Sequence, residues 1–169
     1  MKSILFVCTG NTCRSSMAEA LLRSMLKDAG LDIKVASAGT AVFRQEGASE
    51  QAVEVMKENG IDLSEHTSTP VNAENLGQAD LILTMTMAHK RAVIGMAPGM
   101  SGKVFTLKEY AGGGLKDSDN RDILDIRDPF GGRVEEYRAC AEEIRYLLEK
   151  LVEIIKAGGL QSNKEGHGE

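Results

Sequence analysis

The stretch from Ser3 to Ala29 restricts the possible folds of this chain more than any other. Ser3-Ile4-Leu5-Phe6-Val7 is a short unbroken apolar run, and Cys8-Thr9-Gly10-Asn11-Thr12-Cys13-Arg14 is a compact polar loop. Met17, Ala18, Leu21, Leu22, Met25, Leu26 and Ala29 then recur at three- and four-residue steps. An unbroken apolar run suits a parallel strand covered on both faces, and the later spacing suits a helix. A loop between such a strand and a helix start aims several backbone N–H groups at one point, where the helix dipole adds partial positive charge. The segment is therefore suited to hold an oxyanion.

The rest of the chain repeats the alternation. Residues 33–38, 80–85 and 103–107 read as strands. Ser49–Asn59, a short segment after Pro70, Ala88–Ile94 and Arg133–Lys156 read as helices. Gly30 is the expected C-cap of the first helix, and Gly60 follows the second. On the last helix Val134, Tyr137, Cys140, Ala141, Ile144, Leu147, Leu148, Leu151 and Ile155 form one apolar stripe. Residues 111–128, rich in Gly and Asp, read as a loop long enough to suggest a function. Strands alternating with helices predict an α/β fold: a four-stranded parallel sheet with helices on both faces, in three layers. Residues 1–156 are expected to form one domain, and 157–169, small and polar, a disordered tail.

Composition narrows the function classes. A chain of 169 residues can bury a sizeable core. Its 20 basic and 25 acidic residues leave a net charge of −5, which disfavours a general nucleic-acid binder. No window approaches the roughly 18 consecutive apolar residues of a membrane span. The apolar run at the start is too short for the core of a secretion signal, so a cytoplasmic protein is expected. Three cysteines argue against a secreted disulfide framework. His66, His89 and His167 are scattered and no Cys pair has metal-ligand spacing, so no metal and no cofactor is expected.

The loop itself carries chemistry. Arg14 can give two parallel hydrogen bonds to a phosphate. Cys8, at the base of the loop, lies in a field that should favour its thiolate and depress its pKa. A thiolate beneath a bound phosphoryl group can attack phosphorus in line. No Gly-Lys-Ser/Thr follows and Gly10 is the loop's only glycine, so neither nucleotide-binding pattern fits. The leaving atom needs a proton, which a carboxyl group can supply. Asp128, before Pro129, is the first candidate, with Asp125 and Asp122 as alternatives. A neighbouring phosphate dianion favours the protonated carboxyl.

These residues resemble the low-molecular-weight protein tyrosine phosphatase family, over residues 2 to about 156. The resemblance rests on Cys8 to Ser15 with Met17-Ala18-Glu19-Ala20 behind it, on Ser37-Ala38-Gly39, on His66, and on Asp128-Pro129-Phe130. It implies that Cys8 is the nucleophile, Arg14 the phosphate clamp and Asp128 the acid and then the base. Thr9, Gly10, Asn11, Thr12, Cys13 and Ser15 would line or support the phosphate site, with Phe130 beside the substrate. Asn11, Ser37 and His66 would brace the loop, and Ser15 would donate to the thiolate. It further implies that Cys13 can form a reversible disulfide with Cys8.

Within the family, Thr12 and the run Asp128-Pro129-Phe130-Gly131-Gly132 are most similar to the protein arginine phosphatases. Tyrosine-directed members usually carry a larger aliphatic residue at the place of Thr12, and often two adjacent aromatics at the place of Phe130. The resemblance thus implies a monomeric enzyme that hydrolyses phosphoarginine in proteins through a cysteinyl-phosphate. A tyrosine phosphatase is the alternative, and a non-catalytic phosphoprotein-binding module a further one. One departure is Ser16, where the family usually has proline.

Overall fold

A computed structural model describes residues 1–112 and 121–158. Strand β1 (Ser3–Cys8) lies inside the sheet, with β2 (Lys34–Gly39) on one side and β3 (Leu81–Thr84) on the other. Strand β4 (Val104–Thr106) completes a four-stranded parallel sheet of order β2-β1-β3-β4. The register pairs Cys8 with Gly39 and Val7 with Thr84, so three strands end at one edge. The chain moves from β1 to β2 in one direction and to β3 in the other. In open α/β sheets the crevice at such a reversal is where ligands bind.

Alternation along the strands explains the three layers. Ile4, Phe6, Leu81 and Leu83 face a core built with α1 (Arg14–Asp28), α2 (Glu50–Glu58), α5 (Leu107–Ala111) and α6 (Val134–Lys156). Leu5, Val7, Ile82 and Val104 face the opposite side, covered by α3 (Ala73–Gln78) and α4 (Met87–Met96). Both faces of the sheet are dry, as the unbroken apolar runs require. The expected α/β class, the parallel sheet and the helices on both faces are all present.

Some local expectations shift. Ala29 is the C-cap of α1, and Gly30 follows it with φ 66, the left-handed backbone that lets the chain turn away. On α2 the spacing predicts Ala52, Val53 and Met56 inward, but the helix presents Ala52, Val55 and Met56 to the core and Val53 is only partly buried. The stretch expected to be a loop from 111 is interrupted by structure. Thr106 and Glu109 form a capping box that starts α5 directly after β4, so Ala111 is helical. Arg121–Leu124 form a 3-10 turn. The predicted tail falls outside the described residues from 159 onward.

Candidate active site

The site grows from the first turn of α1. That helix has no side-chain cap and no acidic residue in its first turn, which leaves its amide groups to an anion. Cys8, at the end of β1, is 3% exposed. Its Sγ lies 2.8 Å from Ser15 Oγ, and the Asn11 amide donates to it at 3.2 Å. The amide of Ser15 and the charge of Arg14 also favour the thiolate. Burial nevertheless outweighs them and pushes the Cys8 thiol above its ordinary value. This corrects the expected depression: the field of the loop is present, but the burial of the sulfur outweighs it.

Asn11 holds the loop open. It has φ 58, a left-handed conformation that asparagine tolerates better than most residues. Its Nδ2 donates to Ser15 Oγ and Ser37 Oγ, both at 2.8 Å, and its Oδ1 accepts from the Thr69 amide at 2.9 Å. His66 Nε2 lies 2.7 Å from the Asn11 carbonyl oxygen. Ser37 Oγ in turn donates to Glu19. Every polar group of Asn11 therefore has a partner, and β2, the 66–69 segment and α1 are tied to one residue. Asn11 and Ser15 are fully buried behind the loop and reach the pocket only through Cys8.

Gly39 closes the other side. A Cβ there would run into the Thr9 carbonyl and into Val42, so glycine is what lets β2 approach the loop. Thr40 and Ala41 amides donate to the carbonyls of Cys8 and Thr9, and the Ser49 amide to that of Thr12, each at 2.9 Å. Ser16, at the place of the family's usual proline, is fully buried and donates to the Cys13 carbonyl at 2.8 Å.

Arg14 and Asp128 meet across the pocket. Arg14 Nη1 donates to the Ile126 carbonyl at 2.9 Å, and its Nη2 lies 3.2 Å from Asp128 Oδ2. Asp128 Oδ1 accepts from the Phe130 amide at 3.1 Å. Arg14 Nε is buried and is the sole unpartnered buried side-chain nitrogen or oxygen among the described residues. A donor left so on the Nε/Nη2 edge is matched to an oxyanion, which that edge can grip with two parallel bonds. Of the alternative acids, Asp125 caps α4 by accepting from the Met87 amide at 2.8 Å, so its carboxylate is engaged elsewhere. The side chain of Asp122 lies outside the described residues.

The pocket is about 220 Å³ and is lined by Cys8, Thr9, Gly10, Thr12, Cys13, Arg14, Glu46, Asp128 and Phe130. It is smaller than the roughly 300–1,000 Å³ of drug-sized sites, and it suits a phosphoryl group with the first atoms of one side chain. Phe130 stands 77% exposed at its mouth. Cys13 is buried, with its Sγ 3.3 Å from Tyr137 Oη on α6 and 3.6 Å from Ser49 Oγ. Burial pushes the Tyr137 phenol up to about 12. The three cysteines are all free thiols. No group of three or more metal-ligating side chains occurs among the described residues.

Two further residues near the loop lie outside the motifs that carry the resemblance. His89, in the first turn of α4, is buried, and its Nε2 lies 2.8 Å from Thr9 Oγ1 and its Nδ1 3.0 Å from Thr86 Oγ1. Burial first, and then Arg14, lower its pKa to about 4, so a neutral imidazole bridges the two hydroxyls. Its neighbour Lys90 pairs with Glu109 at 2.9 Å and does not line the pocket. Glu46 lies on the strap between β2 and α2; Phe43, on the same strap, is 96% exposed and does not line the pocket.

Fold and site together define a class: α/β proteins with a cysteine and an arginine on a strand-to-helix loop suited to bind an oxyanion. The profile of a family described as low molecular weight phosphotyrosine protein phosphatase matches residues 3–161, and the chain belongs to that family. A protein-arginine-phosphatase of Bacillus subtilis strain 168 is 42% identical over 153 residues, which cover 90% of this chain and 96% of the relative. A low molecular weight protein-tyrosine-phosphatase, PtpB of Staphylococcus haemolyticus, is 38% identical over 148 residues, 88% of this chain and 96% of the relative. Among solved structures, a cysteine-to-serine mutant of the arginine phosphatase YwlE, with its active-site serine phosphorylated, superposes with a TM-score of 0.82. It is 40% identical, and the match covers 91% of this chain and 95% of that one. No helix among the described residues is long and apolar enough to cross a membrane.

Proposed function

We propose that this phosphatase hydrolyses phosphoarginine in proteins, with Cys8 as nucleophile, Arg14 as clamp and Asp128 as acid and base. The observation that carries the catalytic reading is the unpartnered Nε of Arg14 beside the Cys8 sulfur in one small pocket. The entering phosphoryl group takes the Nε/Nη2 edge and displaces Asp128 from Nη2. Asp128, freed from the guanidinium, is placed to act as the acid. The Cys8 thiolate attacks phosphorus, the P–N bond breaks, and the Asp128 proton goes to the leaving nitrogen. Asp128 next takes a proton from water as the water oxygen bonds to phosphorus. The S–P bond breaks, inorganic phosphate leaves and the thiolate returns. Ser15 Oγ–H stabilises the thiolate, while the same oxygen accepts from Asn11.

The choice of phosphoarginine is supported by Thr12 on the pocket wall, by the single aromatic Phe130 at its mouth, and by the relatives named as arginine phosphatases. Phosphotyrosine is the second reading, favoured by the relative named as a tyrosine phosphatase. We further propose that the chain acts as a monomer, as the family resemblance implies. We read it as cytoplasmic, since three free thiols suit a reducing compartment. Oxidation of Cys8 with Cys13 as resolving thiol completes the proposal; its check is recovery of activity by thiols after peroxide, which Cys13→Ala should impair. The substrate is tested by assaying phosphoarginine and phosphotyrosine peptides of one sequence side by side. A higher kcat/KM on phosphoarginine is expected, and preference for phosphotyrosine would reverse the assignment.

A further inference from the structure

We propose that Glu46 is a specificity residue: its carboxylate accepts the outward N–H groups of the substrate guanidinium and so favours a cationic side chain over an aryl one. This rests on the phosphoarginine reading above. Glu46 lines the same pocket as Cys8, Asp128 and Phe130. Its position is set by its backbone. Its amide donates to Ser68 Oγ at 2.9 Å, and its carbonyl accepts from the Ser68 amide at 2.8 Å. Ser68 is fully buried. The strap carrying Glu46 is also tied at both ends to the catalytic loop, through Ala41 to Thr9 and Ser49 to Thr12.

Phosphoarginine brings donors that the catalytic residues do not answer. Once the phosphoryl group has displaced it from Arg14, Asp128 still accepts from the Phe130 amide through one oxygen, and in turnover the other must deliver a proton to the leaving nitrogen. The other N–H groups of the guanidinium need acceptors as they leave water. Glu46 is the second carboxylate in the pocket lining. It already binds a guanidinium: Arg44 Nε lies 2.7 Å from its Oε1. Arg44 is 83% exposed and Glu46 48%, so this is a solvent-screened pair that a substrate can replace. Arg44 thus acts as a competitor held on the same strap. A phenyl ring offers no donor to Glu46 and leaves that pair undisturbed.

The test measures kcat/KM on a phosphoarginine peptide and on an aryl phosphate, for the unaltered enzyme, Glu46→Gln, Glu46→Lys and Arg44→Ala. The ratio of the two constants should fall about tenfold in Glu46→Gln, mainly through KM for phosphoarginine, and further in Glu46→Lys. It should rise in Arg44→Ala. Added salt should raise the phosphoarginine KM of the unaltered enzyme more than that of Glu46→Gln. If the unaltered enzyme turns over phosphoarginine and Glu46→Gln keeps the ratio within twofold, the specificity role is overturned while the proposed function stands. Equal losses on both substrates would show a structural role and overturn it as well. If the unaltered enzyme does not turn over phosphoarginine, both fall together.

Discussion

At Cys8 two opposed influences meet in one atom. Burial disfavours the thiolate, while Ser15, Arg14 and the amides of Ser15 and Asn11 favour it. Since burial prevails, the remaining donors decide how much thiolate exists near neutral pH. Ser15→Ala removes a lowering contact, so the thiol should titrate still higher. The pH profile of Cys8 alkylation by iodoacetamide should then move to higher pH, and an unmoved profile would show that Ser15 does not act on the sulfur. Asp128→Asn should slow phosphoenzyme formation by roughly 10²–10⁴-fold in rapid-quench kinetics. An effect below tenfold would place the acid elsewhere. His89 carries a pH prediction of its own. Its pKa in the folded protein is about 4, below the ordinary 6.5, so the unfolded chain binds that proton more readily. Its contribution is complete above about 6.5 and is lost as pH falls toward 4. Thermal melts should show a smaller drop between pH 7 and pH 5 in His89→Gln than in the unaltered protein.

At the scale of elements, what was readable in the sequence was local. The apolar run of β1, the spacing along α1 and the stripe on α6 depend on neighbours one to four residues away. The roles of Cys8, Arg14, Asn11, Ser15, Ser37, His66 and Asp128 were implied by family resemblance, and the geometry places these residues around one loop. The parts not readable from local sequence depend on ties across the chain. Glu46 reaches the pocket because its backbone pairs with Ser68, 22 residues on. His89 is buried because Thr9, 80 residues earlier, takes its imidazole. The lowered Cys8 pKa expected from the loop field left out the burial of the sulfur at the end of β1, which local sequence does not show. Gly39 shows how tightly β2 and the loop fit. Gly39→Ala puts a methyl group against the Thr9 carbonyl, which should cost about 1–3 kcal/mol in chemical denaturation and also lower kcat/KM. A variant of unchanged stability and turnover would mean the approach is looser than described.

For the molecule as a whole, the sheet gathers the ends of β1, β2 and β3 at one edge and sets the anion site where the strand order reverses. An oxyanion that binds only the folded protein must therefore stabilise all of it. At about 100 times its dissociation constant, inorganic phosphate should add about 2.7 kcal/mol, and so raise the melting temperature by roughly 5–10 °C. Arg14→Gln should remove most of that shift. The central claim, that phosphorus passes through the sulfur of Cys8, has a direct measurement. Asp128→Asn mixed with an aryl phosphate whose leaving group needs no proton, then quenched and digested, should yield the Cys8 peptide heavier by one phosphoryl group. Cys8→Ala on the same background should show none. A phosphoryl group found on another residue, or found nowhere while product forms in a burst, would contradict the account.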